Sequence, residues 1–228
     1  MDGIGEKDFG DMMRLWRECF GDDEAYVRDY LLSWRPKGKS FVKRADGHIV
    51  AAADVHLFGC DGTDVAYIFG VMTDGRYRGR GLASSLVAEI LESVRNAGCC
   101  LAMLIAGDDS LAEWYKGFGF SSRFAEPVSL VSSDGSFDFG TGCSELNRVQ
   151  FRIADVAAYL ALYSERTGSS FSVAVSDSAI EENNGFFTVE NGTVLRTANG
   201  TGVEVTVSQL ADLYPLGLSH FSYVGRRR

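Results

Sequence analysis

The chain has 228 residues, 46% of them hydrophobic and 23% charged, with only 3 prolines, which suits one large or two modest folded domains and lies far from the disordered range. Its net charge of -9 speaks against broad nucleic-acid binding, which needs a basic surface, and favours cationic small molecules as partners. No apolar run approaches the roughly 20 residues that span a bilayer, and Met1 to Gly10 is acidic and polar, so the expectation is a cytoplasmic protein with neither a signal peptide nor a membrane partner.

In chain order, Lys7 to Cys19 carries Phe9, Met12, Met13, Leu15 and Trp16 at helical spacing, with Gly21 as a stop. Asp22 and Asp23 are candidate caps for a second helix bearing Tyr26, Val27, Tyr30, Leu31 and Trp34 and ending before Pro36. The period then changes to two: strands are expected at Phe41 to Lys43, Ile49 to Phe58 and Val65 to Met72, joined at Asp46-Gly47 and Asp61-Gly62. Leu82 to Val94 shows one apolar helical stripe, and Cys100 to Ala106 reads as a buried strand running parallel to the one before the helix. A short helix at Leu111 to Lys116 and strands from Phe118 onward and at Val128 to Val131 follow.

Ser132 to Gly142, rich in Ser, Asp, Gly and Thr, marks a boundary. Beyond it come a strand at Arg148 to Ile153, a helix at Ala154 to Glu165, and strands near Ser170 to Val175, Phe186 to Val189, Thr193 to Arg196 and Gly202 to Val207. A last short helix is capped by Ser208, and Asn191-Gly192 and Asn199-Gly200 are expected turns. The five cysteines are odd in number and lack the paired spacing of a zinc or redox motif, which predicts reduced structural thiols and no metal.

The chemistry concentrates where the strand ending near Thr73 meets the helix beginning near Gly81. Gly79 and Gly81 let backbone amides approach an anion, and a helix N-terminus adds partial positive charge. Arg76, Arg78 and Arg80 add guanidinium forks matched to phosphate oxygens. A dinucleotide-binding turn lacks its third glycine here, and a P-loop lacks its Gly-Lys-Ser or Gly-Lys-Thr.

The order Val71-Met72-Thr73, then Arg76-x-x-Gly79-x-Gly81-Leu82-Ala83, resembles the acyl-CoA signature of GNAT acetyltransferases, and Tyr115-Lys116-Gly117-Phe118-Gly119-Phe120 is similar to that family's downstream element. The resemblance covers roughly residues 2 to 130. It implies an α+β GNAT fold, a mostly antiparallel central sheet flanked by helices, over residues 1–135. It further implies acetyl-CoA as co-substrate, with Val71, Met72 and Thr73 along the pantetheine arm and Arg76 to Ser84 around the pyrophosphate. Arg78 and Arg80 are the side-chain candidates, and Gly79, Gly81, Leu82, Ala83 and Ser84 are the amide candidates. Tyr115 is implied as proton donor to the leaving thiolate. Many family members carry a glutamate where this chain has Tyr67, Ile68 and Phe69, so Asp54 and His56, on one face of the preceding strand, are the candidate bases.

Arg148 to Leu213, through the helix at Ala154 to Glu165 and the runs Phe171 to Val175, Gly185 to Gly192 and Thr206 to Leu210, resembles the sterol-carrier-like domain of enhanced intracellular survival acetyltransferases, which implies a second domain over 145–228; the chain is too short to hold that family's middle domain. In that family a terminal carboxylate reaches the active site, which makes Arg228 a further candidate, although three closing arginines repel a cationic substrate. The expected activity is acetyl transfer from acetyl-CoA to a primary amine of a small cationic molecule or peptide. The rival expectation is a non-catalytic acyl-CoA sensor or lipid-binding module.

Overall fold

The structure, a computed structural model, describes residues 6–121, 149–213, 216 and 221–224. The expected strand at Val128 to Val131, the boundary loop Ser132 to Gly142 and the candidate Arg228 lie outside the described residues. The chain forms two compact units, 1–57 with 67–90 and 224–228, and 58–66 with 91–223; two strands and a helix run through both. No helix among the described residues is long and apolar enough to cross a membrane.

In the first unit, α1 (Glu6–Cys19) buries Met12, Leu15 and Trp16, the stripe read from its spacing. The second helix is not regular. After α2 (Glu24–Asp29), capped by Asp23 Oδ1 on the amides of Ala25 and Tyr26 at 2.8 and 3.4 Å, the chain widens into a π turn (Tyr30–Trp34) and tightens into a 3-10 turn (Arg35–Lys37). Together these turns bury Tyr30, Leu31, Trp34 and Arg35, more inward positions than one narrow helical face supplies. Asp22 does not cap; its carboxylate accepts from Trp16 Nε1 at 2.8 Å.

β1 (Lys39–Ala45) pairs antiparallel with β2 (His48–Cys60), and β3 (Thr63–Thr73) lies on the other side of β2. The Asp-Gly turns are as expected: Asp46 and Gly47 have φ of 50° and 73°, Asp61 and Gly62 of 47° and 82°, the left-handed pair that matches strand twist. α3 (Leu82–Asn96) buries Leu86, Val87, Ile90, Leu91 and Val94.

In the second unit the ends of β2 and β3 continue into β4 (Leu101–Ile105), which pairs antiparallel with β5 (Val149–Ile153). Both strands are almost entirely buried. α4 (Asp109–Lys116) lies between them in sequence, capped by Asp108 on the Leu111 amide at 2.8 Å. Of the strand expected from Phe118 onward, the described residues reach Ser121, which forms an antiparallel bridge to Phe151.

α5 (Val156–Thr167) then packs on a four-stranded sheet in the order β8-β7-β6-β9, made of β6 (Phe171–Ser176), β7 (Gly185–Glu190), β8 (Thr193–Thr197) and β9 (Val203–Thr206). Asn191-Gly192 is the expected hairpin turn. Asn199-Gly200 is not a hairpin turn, because β9 pairs parallel with β6 across the sheet. Gly200 instead makes room for a ring: a Cβ there would stand 2.1 Å from Phe186 Cδ1. α6 (Val207–Leu213) starts one residue before the expected cap, and Thr206 rather than Ser208 does the capping. Its Oγ1 accepts from the Gln209 amide at 3.3 Å, while Gln209 Oε1 accepts from the Thr206 amide at 2.9 Å, a reciprocal arrangement that satisfies two orphan donors. β10 (Phe221–Tyr223) pairs antiparallel with Phe58 to Cys60 of β2. Cys19, Cys60, Cys99 and Cys100 form no disulfide among the described residues.

Candidate functional site

The site begins where β3 ends. Asp74, 1% exposed, is the anchor of the turn that follows. Its Oδ1 accepts from the Arg76 amide at 2.9 Å and from Arg76 Nε at 3.1 Å, and its Oδ2 accepts from Arg76 Nη2 at 2.8 Å and from Arg14 Nη1 of α1 at 2.6 Å. The Arg76 hydrogen bond is the chief reason its carboxyl sits well below the usual carboxylate range. Glu18 adds a second tie from α1, accepting from the Gly75 amide at 2.6 Å.

The arginines of this loop hold its shape. Arg76 spends its fork on Asp74. Arg78 donates from Nε to the Thr73 carbonyl at 3.0 Å and from Nη2 to Cys19 Sγ at 3.6 Å. Arg80 donates to the Arg76 carbonyl at 3.1 Å and stands 4.9 Å over the Tyr77 ring. All three remain solvent-exposed, so Arg78 and Arg80 keep donors for an anion while their stems are fixed.

Gly79 and Gly81 adopt φ of 73° and 75°, the left-handed backbone that lets neighbouring amides converge into a nest. The first bond of the following helix runs from the Ser85 amide to the Gly81 carbonyl at 2.9 Å. The six amides from Gly79 to Ser84 make no hydrogen bond among the described residues. A Cβ on either glycine would meet nothing within 4 Å, so the cradle is open. These are the donors, the space and the positive dipole end that a diphosphate needs, and the residues present fit a CoA pyrophosphate. Upstream, Met72 is buried, while Val71 and Thr73 are half-buried.

Asp54 and His56 lie on one face of β2, as alternation requires, but inside the core: 2% and 0% exposed. The Tyr30 hydroxyl joins them, donating to Asp54 Oδ2 at 2.8 Å with its single proton and lying 3.0 Å from His56 Nε2. That nitrogen is therefore the donor to Tyr30, which fixes a neutral imidazole protonated at Nε2. Burial holds His56 down to about 3. Burial also raises Asp54, against the opposing pull of Arg35, whose Nε donates to both carboxylate oxygens at 3.2 Å. Tyr30 and Arg35 are the partners that sequence reasoning missed. Their only signal was a polar tip and a charge on an otherwise apolar helical stretch.

Tyr115 belongs to the second unit. It is 6% exposed on α4, with its ring 4.7 Å from Trp114 and 5.8 Å from Phe120. Burial pushes its phenol well above the ordinary range, so it stays protonated and can act only as a donor at neutral pH.

In chain order the described residues thus set out a strand running into an amide-lined turn at a helix start and then a short helix bearing a buried tyrosine, the order of elements expected of a GNAT acetyltransferase. Residues 9–120 match the model of the acetyltransferase (GNAT) family. The chain is 34% identical over 84 residues to an aminoglycoside N(6')-acetyltransferase type 1 of Serratia marcescens, an alignment over 34% of this chain and 56% of that protein. It is 33% identical over 88 residues to a glucosamine 6-phosphate N-acetyltransferase of Trypanosoma brucei brucei, over 37% of this chain and 59% of that one. The chain thus spans less than two thirds of the length of these curated relatives. In fold it is similar to Eis1 from Mycobacterium abscessus, with a TM-score of 0.64 and 14% identity, over 90% of this chain and 86% of that one.

Proposed function

We propose that this protein transfers an acetyl group from acetyl-CoA to a primary amine of a small, cationic molecule or peptide. The observation that carries the donor half is the run of six uncommitted amides over Gly79 to Ser84. In this reading those amides, with Arg78 and Arg80, hold the pyrophosphate, and the backbone of Val71 to Thr73 pairs with the pantetheine arm. The amine nitrogen forms a bond to the thioester carbonyl carbon as the carbon-sulfur bond breaks. The Tyr115 phenol donates to the departing thiolate. Its raised pKa favours a strong hydrogen bond to developing negative charge over complete proton loss. The amine proton passes to Asp54 through the Tyr30 hydroxyl, which donates to Asp54 Oδ2 and is oriented by His56 Nε2.

The same reading takes residues 1–135 as the acetyltransferase domain and residues 145–228 as a sterol-carrier-like domain. The helix α5 laid on a mixed four-stranded sheet supports the latter. The net charge of -9 and the aminoglycoside named for one relative support a cationic acceptor.

The test is isothermal titration with acetyl-CoA, then thiol release over a panel comprising an aminoglycoside, glucosamine 6-phosphate, a polyamine and a lysine peptide. Saturable binding with turnover on at least one amine is expected. No binding at millimolar acetyl-CoA overturns the donor assignment, and binding without turnover on any amine favours an acyl-CoA sensor.

A further inference from the structure

β5 is buried along its whole length, yet it carries Gln150 and Arg152 on one face, 0% and 1% exposed. Donors so deep call for partners, and Gln150 Nε2 and the Arg152 guanidinium find theirs partly on the segment that bears Tyr115. Gln150 Nε2 donates to the Ala112 carbonyl at 3.0 Å, within α4. Arg152 Nε donates to the Phe118 carbonyl, just past the end of α4. Phe118 is tied to Tyr115 in turn, its amide donating to the Tyr115 carbonyl at 2.9 Å. Two side chains from alternate positions of one strand therefore grip the Tyr115 helix on either side of that residue.

The other end of Arg152 is held from the C-terminal sheet. Nη2 donates to Asp177 Oδ1 and Oδ2 at 2.7 and 2.8 Å, immediately after β6. Asp177 is itself immobilised: it accepts from the amides of Ala179 and Ile180 at 2.9 and 3.2 Å and from Asn183 Nδ2 at 2.8 Å. Packing tightens the same joint, since a Cβ on Gly119 would stand 2.7 Å from Val207 Cγ1 of α6.

We propose that Arg152 is a positioning residue through which Asp177 of the C-terminal sheet sets the placement of Tyr115, so that the proton-donor step depends on the C-terminal sheet. The inference rests on the reading of Tyr115 as the donor. A planar guanidinium suits the task, because it can bridge a carbonyl and a carboxylate in fixed geometry; a lysine keeps the charge but loses the fork. Misplacing a reacting group by about 1 Å can cost about 100-fold in rate.

The experiment uses the full chain and the variants Arg152→Lys, Asp177→Asn and Tyr115→Phe, assayed with acetyl-CoA and the best amine of the panel at a temperature well below each variant's Tm. Arg152→Lys and Asp177→Asn should lower kcat about tenfold or more with KM for acetyl-CoA unchanged, and Asp177→Asn should add little to Tyr115→Phe. Additive losses, or equal losses in kcat and in acetyl-CoA affinity, overturn the proposal. In parallel, the full chain with fluorotyrosine in place of its tyrosines reports the environment of position 115 by fluorine NMR, the resonance being assigned from Tyr115→Phe. That resonance should shift in both variants whether or not an acceptor is found, and an unchanged resonance also overturns the proposal. If Tyr115→Phe leaves kcat intact, the donor reading fails by itself, and the resonance alone decides whether Arg152 positions the helix.

Discussion

His56 offers a quantitative check on the buried cluster of the first unit. An unfolded imidazole titrates near its ordinary 6.5, whereas burial holds the folded one down to about 3. Between those values the unfolded chain binds a proton that the folded chain refuses, so the contribution of His56 to stability is fully present above about pH 6.5 and is lost as the pH falls. Each pH unit in that window is worth about 1.4 kcal/mol, so acidification from about pH 7.5 to about pH 4.5 removes about 2.5 kcal/mol through this residue alone. Carboxylates titrate in part of the same range, so the comparison is with His56→Gln, whose amide can still donate to the Tyr30 hydroxyl and does not titrate. Urea unfolding followed by tryptophan fluorescence is suited to the purpose, since Trp16 lies 4.9 Å from the Tyr30 ring. The stability of the wild type relative to the variant should fall by about 2.5 kcal/mol across that range. A difference that stays constant within about 0.5 kcal/mol would show that His56 is not held neutral by burial.

Three further outcomes follow from the geometry. Gly79→Val, which forces a β-branched residue to a φ of 73°, should cost about 1–2 kcal/mol locally and weaken acetyl-CoA binding at least about tenfold by turning amides out of the nest; titration calorimetry checks it. Thr73→Val removes a buried hydroxyl that makes no hydrogen bond and should raise stability by about 1 kcal/mol or more, read as an upward shift in Tm. Tyr30→Phe leaves the His56 Nε2 donor without its acceptor and Asp54 short of a donor; it should destabilise by about 1–3 kcal/mol and lower kcat more than acetyl-CoA affinity.

Local features of this fold were legible because local sequence determines them. The Asp-Gly turns at 46–47 and 61–62 need left-handed backbone, the stripe from Leu86 to Val94 has one period, and the glycine and arginine spacing of residues 76–81 announces an anion site. What stayed hidden depends on partners distant in sequence. Nothing near Tyr30 shows that its helix widens to deliver a hydroxyl to Asp54, 24 positions away, or that Arg35 swings inward to the same carboxylate. The spacing offers Arg76 as a further cation beside the side-chain candidates Arg78 and Arg80, and it does not reveal that Asp74 takes up its fork. Asn199-Gly200 carried the letters of a hairpin turn, and the parallel pairing of β9 with β6 assigned that glycine to a packing role.

The ties that Asp74, Glu18 and the Thr73 carbonyl make to the loop have a kinetic consequence. A flexible arginine immobilised on binding costs about 0.5–1.5 kcal/mol, and here much of that ordering occurs when the chain folds. The loop meets its anion already shaped, a small patch of positive potential on a chain of net charge -9. Encounter should therefore depend on ionic strength more than on loop rearrangement: added salt slows association by screening, while dissociation, governed by short contacts, changes little.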